Sequence, residues 1–173
     1  MSYRFFLIFA ASILAIASGI ALGIQQLSAM PEDTVSEQIW AMTLPRTDGK
    51  LISLKTFRGK ILVINFWAPW CAPCVKEIPD LIALQNEFLN KNVQFVGIGI
   101  DSLDNIIKFP IKTWPTYPTL VANIDGVSMA QEFGNKSKVI PFTVIIDGNG
   151  NILKTLTGAI KKSNLHNILF GAS

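Results

Sequence analysis

The sequence predicts an α/β domain, and three observations lead to that class. Ile61–Trp67 is a nearly continuous apolar run rich in β-branched and aromatic residues, as in a strand buried on both faces. Apolar residues then recur at helical spacing up to about Asn90, and a second apolar run, Val93–Ile100, follows. The order strand, helix, strand predicts a parallel pair with a right-handed crossover.

The first element along the chain is a segment of twenty uncharged residues, Phe5–Ile24. At about 1.5 Å per helical residue it reaches roughly 30 Å, the thickness of a bilayer's hydrocarbon core. Arg4 precedes it and no basic residue follows before Arg46, so the charge bias places the N-terminus in the cytoplasm and the remainder outside. We predict a transmembrane signal anchor over residues 1–24. A cleaved signal peptide is the alternative, because small residues end the run.

A linker and a β-hairpin are expected next. Residues 25–38 are polar and acidic without an apolar period, which is typical of a tether. Two short apolar runs, Ile39–Leu44 and Leu51–Leu54, are separated by a proline and an Asp-Gly pair, which predicts two strands meeting at a turn. The length of the remaining chain suits a single domain over residues 39–173.

The middle of the chain is predicted to be less regular. A helix-start signal at Asp101 or Ser102 precedes a short helix that ends near Lys108. Residues 109–118 contain three prolines, so the short helix should give way to extended chain.

The last third of the chain carries clear turn and cap signals. The Asp-Gly-Asn-Gly run at 147–150 is a strong hairpin signal between two apolar segments. The elements expected here are a helix over Asp125–Phe133 capped by Asp125 and followed by Gly134, a hairpin of Phe142–Ile146 with Ile152–Leu156, and a helix capped by Ser163 that runs to Phe170.

The charge distribution excludes nucleic-acid binding, and the number of metal-ligating residues excludes a structural zinc site. The net charge is +3 and the basic residues are scattered, so the chain lacks the electrostatic footprint of a nucleic-acid-binding protein. A structural zinc site needs four ligands, whereas the chain has two cysteines and one histidine, His166. We expect no metal and no cofactor.

The two cysteines lie where the first buried strand meets its helix, in the run Trp70-Cys71-Ala72-Pro73-Cys74. At or next to the first helical position, the Cys71 sulfur would face unpaired backbone N–H groups and the positive end of the helix dipole, which favour the thiolate. Cys74 would lie one turn further on the same face, close enough to resolve a mixed disulfide at Cys71. Pro73 should stiffen the turn between the sulfurs, and Trp70 should shield them.

Glu77 has two interpretations. It follows Cys74 by three residues and adjoins apolar positions, so its carboxyl could exchange the proton that Cys74 gains and loses. The alternative is a solvated glutamate in the first turns of a helix, stabilised by the helix dipole. The spacing alone favours the second interpretation.

From about Trp40 to Gly171 the chain resembles the TlpA/ResA-type branch of the thioredoxin superfamily. The strongest stretch is Arg58–Pro79, which reads RGKILVINFWAPWCAPCVKEIP. The resemblance implies a thioredoxin-like fold with a central mixed sheet flanked by helices, an N-terminal β-hairpin and a central insert at 101–123, preceded by one transmembrane helix. It also implies a role for Glu77 in the thiol chemistry.

The resemblance further implies a cis-proline strand opposite the cysteines. Pro141 is the candidate for the cis peptide, with Ile140 offering backbone groups to a bound partner. Composition alone would instead predict a trans proline at the start of a strand. Asn65 stands where cytoplasmic thioredoxins carry a buried aspartate. Glu77 is therefore expected to take over the proton-handling role of that aspartate.

The function implied is a thiol-disulfide oxidoreductase that reduces disulfides of exported client proteins and is itself re-reduced by a membrane electron-transfer protein. The location implied is the bacterial cytoplasmic membrane, with the domain facing the periplasm or cell exterior. A thiol oxidase or isomerase on the same fold, a non-catalytic binding module and a thiol peroxidase remain alternatives. Dithiol potentials span a wide range, so sequence does not decide the direction of electron flow.

Overall fold

The computed structural model of the chain describes residues 33–110 and 112–172. Residues from Val35 onward pack into one compact unit. The helices are α1 (Asp33–Ala41), α2 (Ala72–Phe88), α3 (Leu103–Lys108), α4 (Gly126–Glu132) and α5 (Lys162–Ala172). The strands are β1 (Thr43–Pro45), β2 (Leu51–Ser53), β3 (Ile61–Trp67), β4 (Val93–Gly99), β5 (Thr119–Val121), β6 (Phe142–Ile146) and β7 (Ile152–Thr157).

A mixed five-stranded sheet forms the centre of the domain, in the order β5-β4-β3-β6-β7. β3 pairs in parallel with β4, and β4 with β5, which confirms the predicted parallel pair. On the other side β3 pairs antiparallel with β6, and β6 with β7, which confirms the predicted hairpin. A separate antiparallel pair, β1 and β2, forms the N-terminal hairpin.

β3 is central because both of its faces are covered by apolar side chains. Leu62, Ile64 and Phe66 enter one core cluster, on the face that also receives Trp40 of α1. Val63 and Trp67 enter clusters on the opposite face, where α2 and α5 pack. Side chains alternate between the faces of a strand, so the intervening Asn65 lies on the α2 face. It is one of the few polar side chains that the core contains.

The N-terminal part of the domain differs from the prediction. Residues 33–38 were expected in a linker and Ile39–Leu44 in a strand, but Asp33–Ala41 is the helix α1, and the first strand begins at Thr43. Ser36, Ile39 and Trp40 are buried together, a spacing of three and four residues that belongs to a helix face. The apolar residues before the hairpin therefore follow the helical period and not the alternation of a strand.

One predicted helix cap is wrong, a second is at the predicted position but makes no side-chain hydrogen bond, and two helix boundaries are confirmed. The Asp125 side chain makes no capping hydrogen bond, because a 3₁₀ turn over Asn123–Asp125 leads directly into α4. Ser163 lies inside α5, which begins at Lys162. Ser102 does cap α3 by accepting a hydrogen bond from the Asn105 N–H at 3.2 Å. Gly134 follows α4 with a φ of +98°, a conformation that suits glycine after a helix.

Within the described residues, no helix combines the length and the apolar character that crossing a bilayer requires. The anchor predicted over residues 1–24 and the first part of the predicted linker lie outside those residues. Both stay predictions.

Candidate active site

The two cysteines form a disulfide at the start of α2. The S–S distance is 2.01 Å and the Cα atoms are 5.2 Å apart. Cys71 is the N-cap residue, and its carbonyl accepts the hydrogen bond from the Val75 N–H at 3.1 Å that opens the helix. Pro73 stands in the first helical turn, where its missing N–H removes no helix bond. The local sequence therefore places Cys71 at the positive end of the helix dipole.

The two sulfurs have different surroundings. Cys71 keeps 6% of its surface exposed, whereas Cys74 is fully buried. Both belong to an apolar cluster that also contains Trp67, Ile78 and Ile106. An incoming group can thus reach the first cysteine but not the second, as a nucleophile and a resolving thiol require.

Trp70, directly before Cys71 in the chain, is 67% exposed. It forms one wall of a surface groove of about 540 Å³ whose other wall includes Phe109, from the segment after α3. A second groove, of about 490 Å³, is lined in part by Pro73, Lys76 and Lys161. Neighbours of Cys71 in the chain therefore line two surface grooves.

The peptide bond between Ile140 and Pro141 is cis. The Ile140 side chain packs against the apolar cluster that contains both cysteines. Within the described part of the chain, neither the N–H nor the C=O of Ile140 makes a hydrogen bond, whereas the Pro141 carbonyl accepts one from Gly158 at 2.8 Å.

The side chain of Asn135, which no local pattern singles out, holds the loop before this peptide. Asn135 is 2% exposed, and its side chain donates to the Val139 carbonyl at 2.9 Å and accepts from the Val139 N–H at 3.3 Å. Asparagine side chains often mimic backbone turns in this way, but only the fold shows that this one supports the chain entering Ile140.

Glu77 is buried, with 4% of its surface exposed, which excludes the interpretation as a solvated helix residue. Its Oε1 accepts a hydrogen bond from Asn65 Nδ2 at 2.8 Å, and its Oε2 accepts one from the Ile160 N–H at 3.0 Å. Asn65 Nδ2 also donates to Thr143 Oγ1 at 3.0 Å. Glu77 and Cys74 are three residues apart on one helix, so both occupy the same buried face of α2.

Burial raises the pKa of Glu77 above its ordinary value, because removing the carboxylate from water penalises its charge. The hydrogen bonds from Ile160 and Asn65 oppose that shift, and the negative charge of Asp80 adds to it. A carboxyl with a raised pKa beside a thiol that must lose a proton is suited to general acid-base work.

Two members of the hydrogen-bond network around Glu77, Ile160 and the Asn65 partner Thr143, could not be found from local patterns. Ile160 lies 83 residues away in the chain and contributes only a backbone N–H, which carries no sequence signal. Thr143 lies directly opposite Asn65 in the sheet, so strand register would have indicated it if the neighbour of β3 had been known.

Comparisons with known proteins agree with this geometry. The redoxin family profile matches residues 28–169. The thiol-disulfide oxidoreductase ResA of Bacillus thuringiensis subsp. konkukian is 32% identical over 125 residues, which cover 70% of this chain and 69% of the relative. ResA of Bacillus subtilis is 27% identical over 127 residues, or 73% of this chain and 69% of the relative.

Solved structures share the fold. The solution structure of a putative thioredoxin from Neisseria meningitidis is 30% identical, with a TM-score of 0.64 over 76% of this chain and 87% of that one. A putative thiol:disulfide interchange protein DsbE from Chlorobium tepidum has a TM-score of 0.68 over 76% of this chain and 92% of that one; at 24% identity it supports the fold alone. The chain therefore belongs to the redoxin family, as a thiol-disulfide oxidoreductase of the TlpA/ResA type.

Proposed function

We propose that this oxidoreductase is tethered to the cytoplasmic membrane, faces the periplasm or cell exterior, and reduces disulfides of client proteins there. The observation that carries the proposal is the asymmetry of the CxxC pair. One sulfur is reachable at a helix N-terminus, and the other is buried three residues before a buried carboxyl.

The first step is attack by Cys71. In the reduced protein its sulfur is the thiolate form, stabilised by the start of α2, and it attacks one sulfur of the client disulfide. A bond forms between Cys71 and that sulfur while the client S–S bond breaks. The other client sulfur leaves as a thiolate and takes a proton from the solvent. The free backbone groups of Ile140 would align the client chain beside Cys71.

The second step is resolution by Cys74. Its thiol gives up a proton, and the resulting thiolate attacks Cys71, which forms the internal disulfide and releases the second client sulfur as a thiolate. Because Cys74 is fully buried, the proton cannot pass directly to bulk water. Glu77, with its raised pKa, is the nearby group suited to accept it and to pass it outward through the groove that it lines.

The cycle then needs a dithiol that reduces the Cys71–Cys74 bond, and a membrane electron-transfer protein is the proposed donor. The anchor predicted over residues 1–24 supports this choice, since it would hold both proteins in one membrane. The reducing direction is supported by the Ala72-Pro73 dipeptide, which lacks the histidine that would favour an oxidase.

A trap for mixed disulfides tests the function. A Cys74→Ala variant of the full chain, expressed in its own host, should accumulate disulfide-linked complexes through Cys71, because the resolving thiol is absent. A matched Cys71→Ala variant should accumulate none. Complexes are separated on non-reducing gels, and the captured proteins are identified by mass spectrometry.

Two results would overturn the proposal. If the Cys74→Ala variant captures no protein, the domain is a binding module and not a reductase. If the pair in wild-type cells is found oxidised while clients lose thiols, electrons flow in the opposite direction and the protein is an oxidase. The anchor has a separate test. When membranes isolated from the same cells are washed at alkaline pH, the full chain should stay in the membrane pellet if residues 1–24 span the bilayer.

A further inference from the structure

The surface groove beside Trp70 borders the segment that carries Cys71. We call it the aromatic groove, and its volume is about 540 Å³. A smaller groove of about 280 Å³ shares Pro69, Trp70 and Phe109 with it, so the two grooves adjoin. Trp70 directly precedes Cys71 in the chain, and Phe109 packs against the apolar cluster that contains both cysteines. A client chain that reaches Cys71 therefore passes close to these two aromatic residues.

The aromatic groove is apolar apart from one residue. Its lining consists of Pro69, Trp70, Ala72, Val75, Phe109 and Lys76. Trp70 exposes 67% of its surface, and covering a ring of that size with an apolar partner is favourable. Tryptophan is also enriched among the residues that contribute most to binding at protein interfaces. The groove is therefore suited to an apolar side chain of the client.

Lys76 is the single charged residue in this lining, and its charge is not paired. Its side chain is exposed and makes no ion pair or hydrogen bond within the described part of the chain. A cation at the edge of an apolar groove attracts an anion more strongly than one in open water, because the apolar wall lowers the local dielectric. The lining thus combines apolar surface with one free positive charge.

The adjoining groove has the opposite electrical character. Its lining includes Lys108, whose charge is paired with Asp104 at 2.8 Å, and Asp101, which pairs with no cation among the described residues. Neither Asp101 nor Lys108 lines the aromatic groove, and Lys76 does not line the adjoining one. An acidic side chain is therefore favoured at the Lys76 end of this surface and disfavoured at the Asp101 end.

We propose that the aromatic groove selects clients in which an apolar residue and an acidic residue stand close to the disulfide cysteine. The apolar side chain packs between Trp70 and Phe109, and the acidic side chain pairs with Lys76. Lys76 and Phe109 are therefore specificity-determining residues, and the segment after α3 takes part in client choice through Phe109. This selection rests on the proposed reduction of client disulfides at Cys71.

Other charges near Lys76 must be separated from its own effect. Lys76 also lines the second groove, together with Lys161, Asp80 and the buried Glu77. The whole chain carries a net charge of +3, which attracts any acidic peptide. The test therefore compares peptides within each variant, and it compares Lys76 with Lys154, which lines none of these grooves.

The probes are disulfide-linked dimers of a short peptide that contains one cysteine. Phenylalanine stands next to the cysteine on both sides, and the outer neighbour on both sides is glutamate, glutamine or lysine, so either chain direction presents the same groups. The full chain in neutral detergent micelles is reduced, freed of reductant and mixed with each peptide. The two electrons that reduce the peptide disulfide come from the Cys71–Cys74 dithiol. Alkylation of the remaining thiols and mass spectrometry then give the second-order rate constant.

At low salt the wild-type chain should react about 2 to 5 times faster with the glutamate peptide than with the glutamine peptide, as one exposed ion pair provides. Salt at about 1 M should remove most of the difference, because charges are then screened beyond about 3 Å. Lys76→Gln should abolish the preference, and Lys76→Glu should make the lysine peptide react fastest. Lys154→Gln removes an equal charge from an exposed position on β7, so this matched control should keep the wild-type preference.

The apolar part of the groove is tested with Phe109→Ala. The wild-type preference for phenylalanine over glycine beside the peptide cysteine should fall about fivefold or more in this variant, as at other residues that dominate an interface. Should this variant fail to fold, the Lys76 variants decide, because their exposed position lies outside the core.

Equal rates for the three peptides with the wild-type chain, or the same preference in wild type and Lys76→Gln, would overturn the selection while leaving the reductase proposal intact. An equal loss of preference in Lys154→Gln would assign it to net charge and overturn the role of Lys76. If the wild-type chain reduces no peptide, the reductase proposal fails and binding alone decides the selection. Serine analogues of the peptides are then titrated into the oxidised chain, and Kd values from tryptophan fluorescence should show the same preferences.

Discussion

Glu77 shows how strongly the behaviour of one residue depends on what surrounds it. Three residues past the second cysteine, it looks like an ordinary charged residue on a helix. In the fold it is almost completely buried and holds two hydrogen bonds from distant parts of the chain. The same carboxyl thus changes from a surface group into a buried one, three residues from Cys74 on the same face of α2, where we propose that it carries protons.

The buried carboxyl should make stability depend on pH. Its ordinary pKa is 4.5, and its folded-state pKa is higher. Between the two values the folded protein keeps a proton that the unfolded chain has lost, so the free energy of unfolding falls as pH rises through that window. One proton changes this energy by at most about 1.4 kcal/mol per pH unit. In a Glu77→Gln variant, the free energy of unfolding should fall less steeply as pH rises. Denaturant titrations from pH 4 upward measure this dependence.

Other carboxyls change the pH dependence of stability in the opposite direction, and their effect must be separated from that of Glu77. Hydrogen bonds lower the pKa of Asp147, so its contribution is lost as pH falls. The informative quantity is therefore the difference between wild type and Glu77→Gln. Glu132→Gln, which removes an exposed carboxylate from α4, is the control. Equal pH slopes for wild type and Glu77→Gln would show that the pKa of Glu77 is not raised.

At the scale of elements, the helix α1 is the main departure from what the local sequence predicts. Its buried face brings Trp40 into the core beside β3, and the Trp40 indole also reaches the β6–β7 turn at Asn149. Gly150 permits this contact, since a Cβ there would lie 2.7 Å from Trp40 Nε1. The helix thus belongs to the packed domain and not to the tether.

Truncating Trp40 should therefore destabilise the whole domain. Trp40→Ala removes a large core side chain and a hydrogen bond, and we expect a loss of about 3–5 kcal/mol in the free energy of unfolding. Gln38→Ala, an exposed position on the same helix, should change it by less than about 0.5 kcal/mol. Denaturant unfolding followed by tryptophan fluorescence measures both. Similar losses in the two variants would show that α1 is not docked.

Local patterns predicted the elements near the active site well. β3 was predicted with its observed bounds, because an apolar run between polar turns has few other structures available. The start of α2 at the cysteines was also predicted correctly, since strand, turn and helical period meet there. Ser163 does not cap α5, and Asp125 precedes α4 without a side-chain hydrogen bond, because a polar residue before an apolar period is compatible with several helix starts.

At the scale of the whole molecule, the mixed sheet assembles the site from separate segments. The β3–α2 junction supplies the cysteines, the segment before β6 supplies the cis peptide, and the segment after β7 supplies the N–H that binds Glu77. These segments meet because β6 pairs with β3 on the side opposite β4.

The redox state of the Cys71–Cys74 pair should affect the free energy of unfolding of the whole domain. A reductase favours the disulfide in its folded state, so the oxidised protein should be more stable than the reduced one. The difference is about 1.4 kcal/mol for every 30 mV by which the potential of the folded pair lies below that of the unfolded pair. Denaturant titrations with and without a dithiol reductant measure it. A more stable reduced form would contradict the reducing direction and favour the oxidase alternative.

A variant without the pair controls for the reductant itself. Replacing both Cys71 and Cys74 with alanine removes the disulfide, so the unfolding midpoint should be the same with and without the dithiol. A midpoint that still moved would trace the effect to the reductant and not to the redox pair.

The sequence by itself determined the α/β class, the central strand, and the placement of Cys71 and Cys74 where that strand meets its helix. These features follow from short-range properties: apolar period, turn residues and the position of a cysteine relative to a helix start. Only the tertiary structure decided that Glu77 is buried, which atoms bind it, and that α1 packs into the core. Burial and hydrogen bonding depend on which distant segments meet, and no local pattern specifies that.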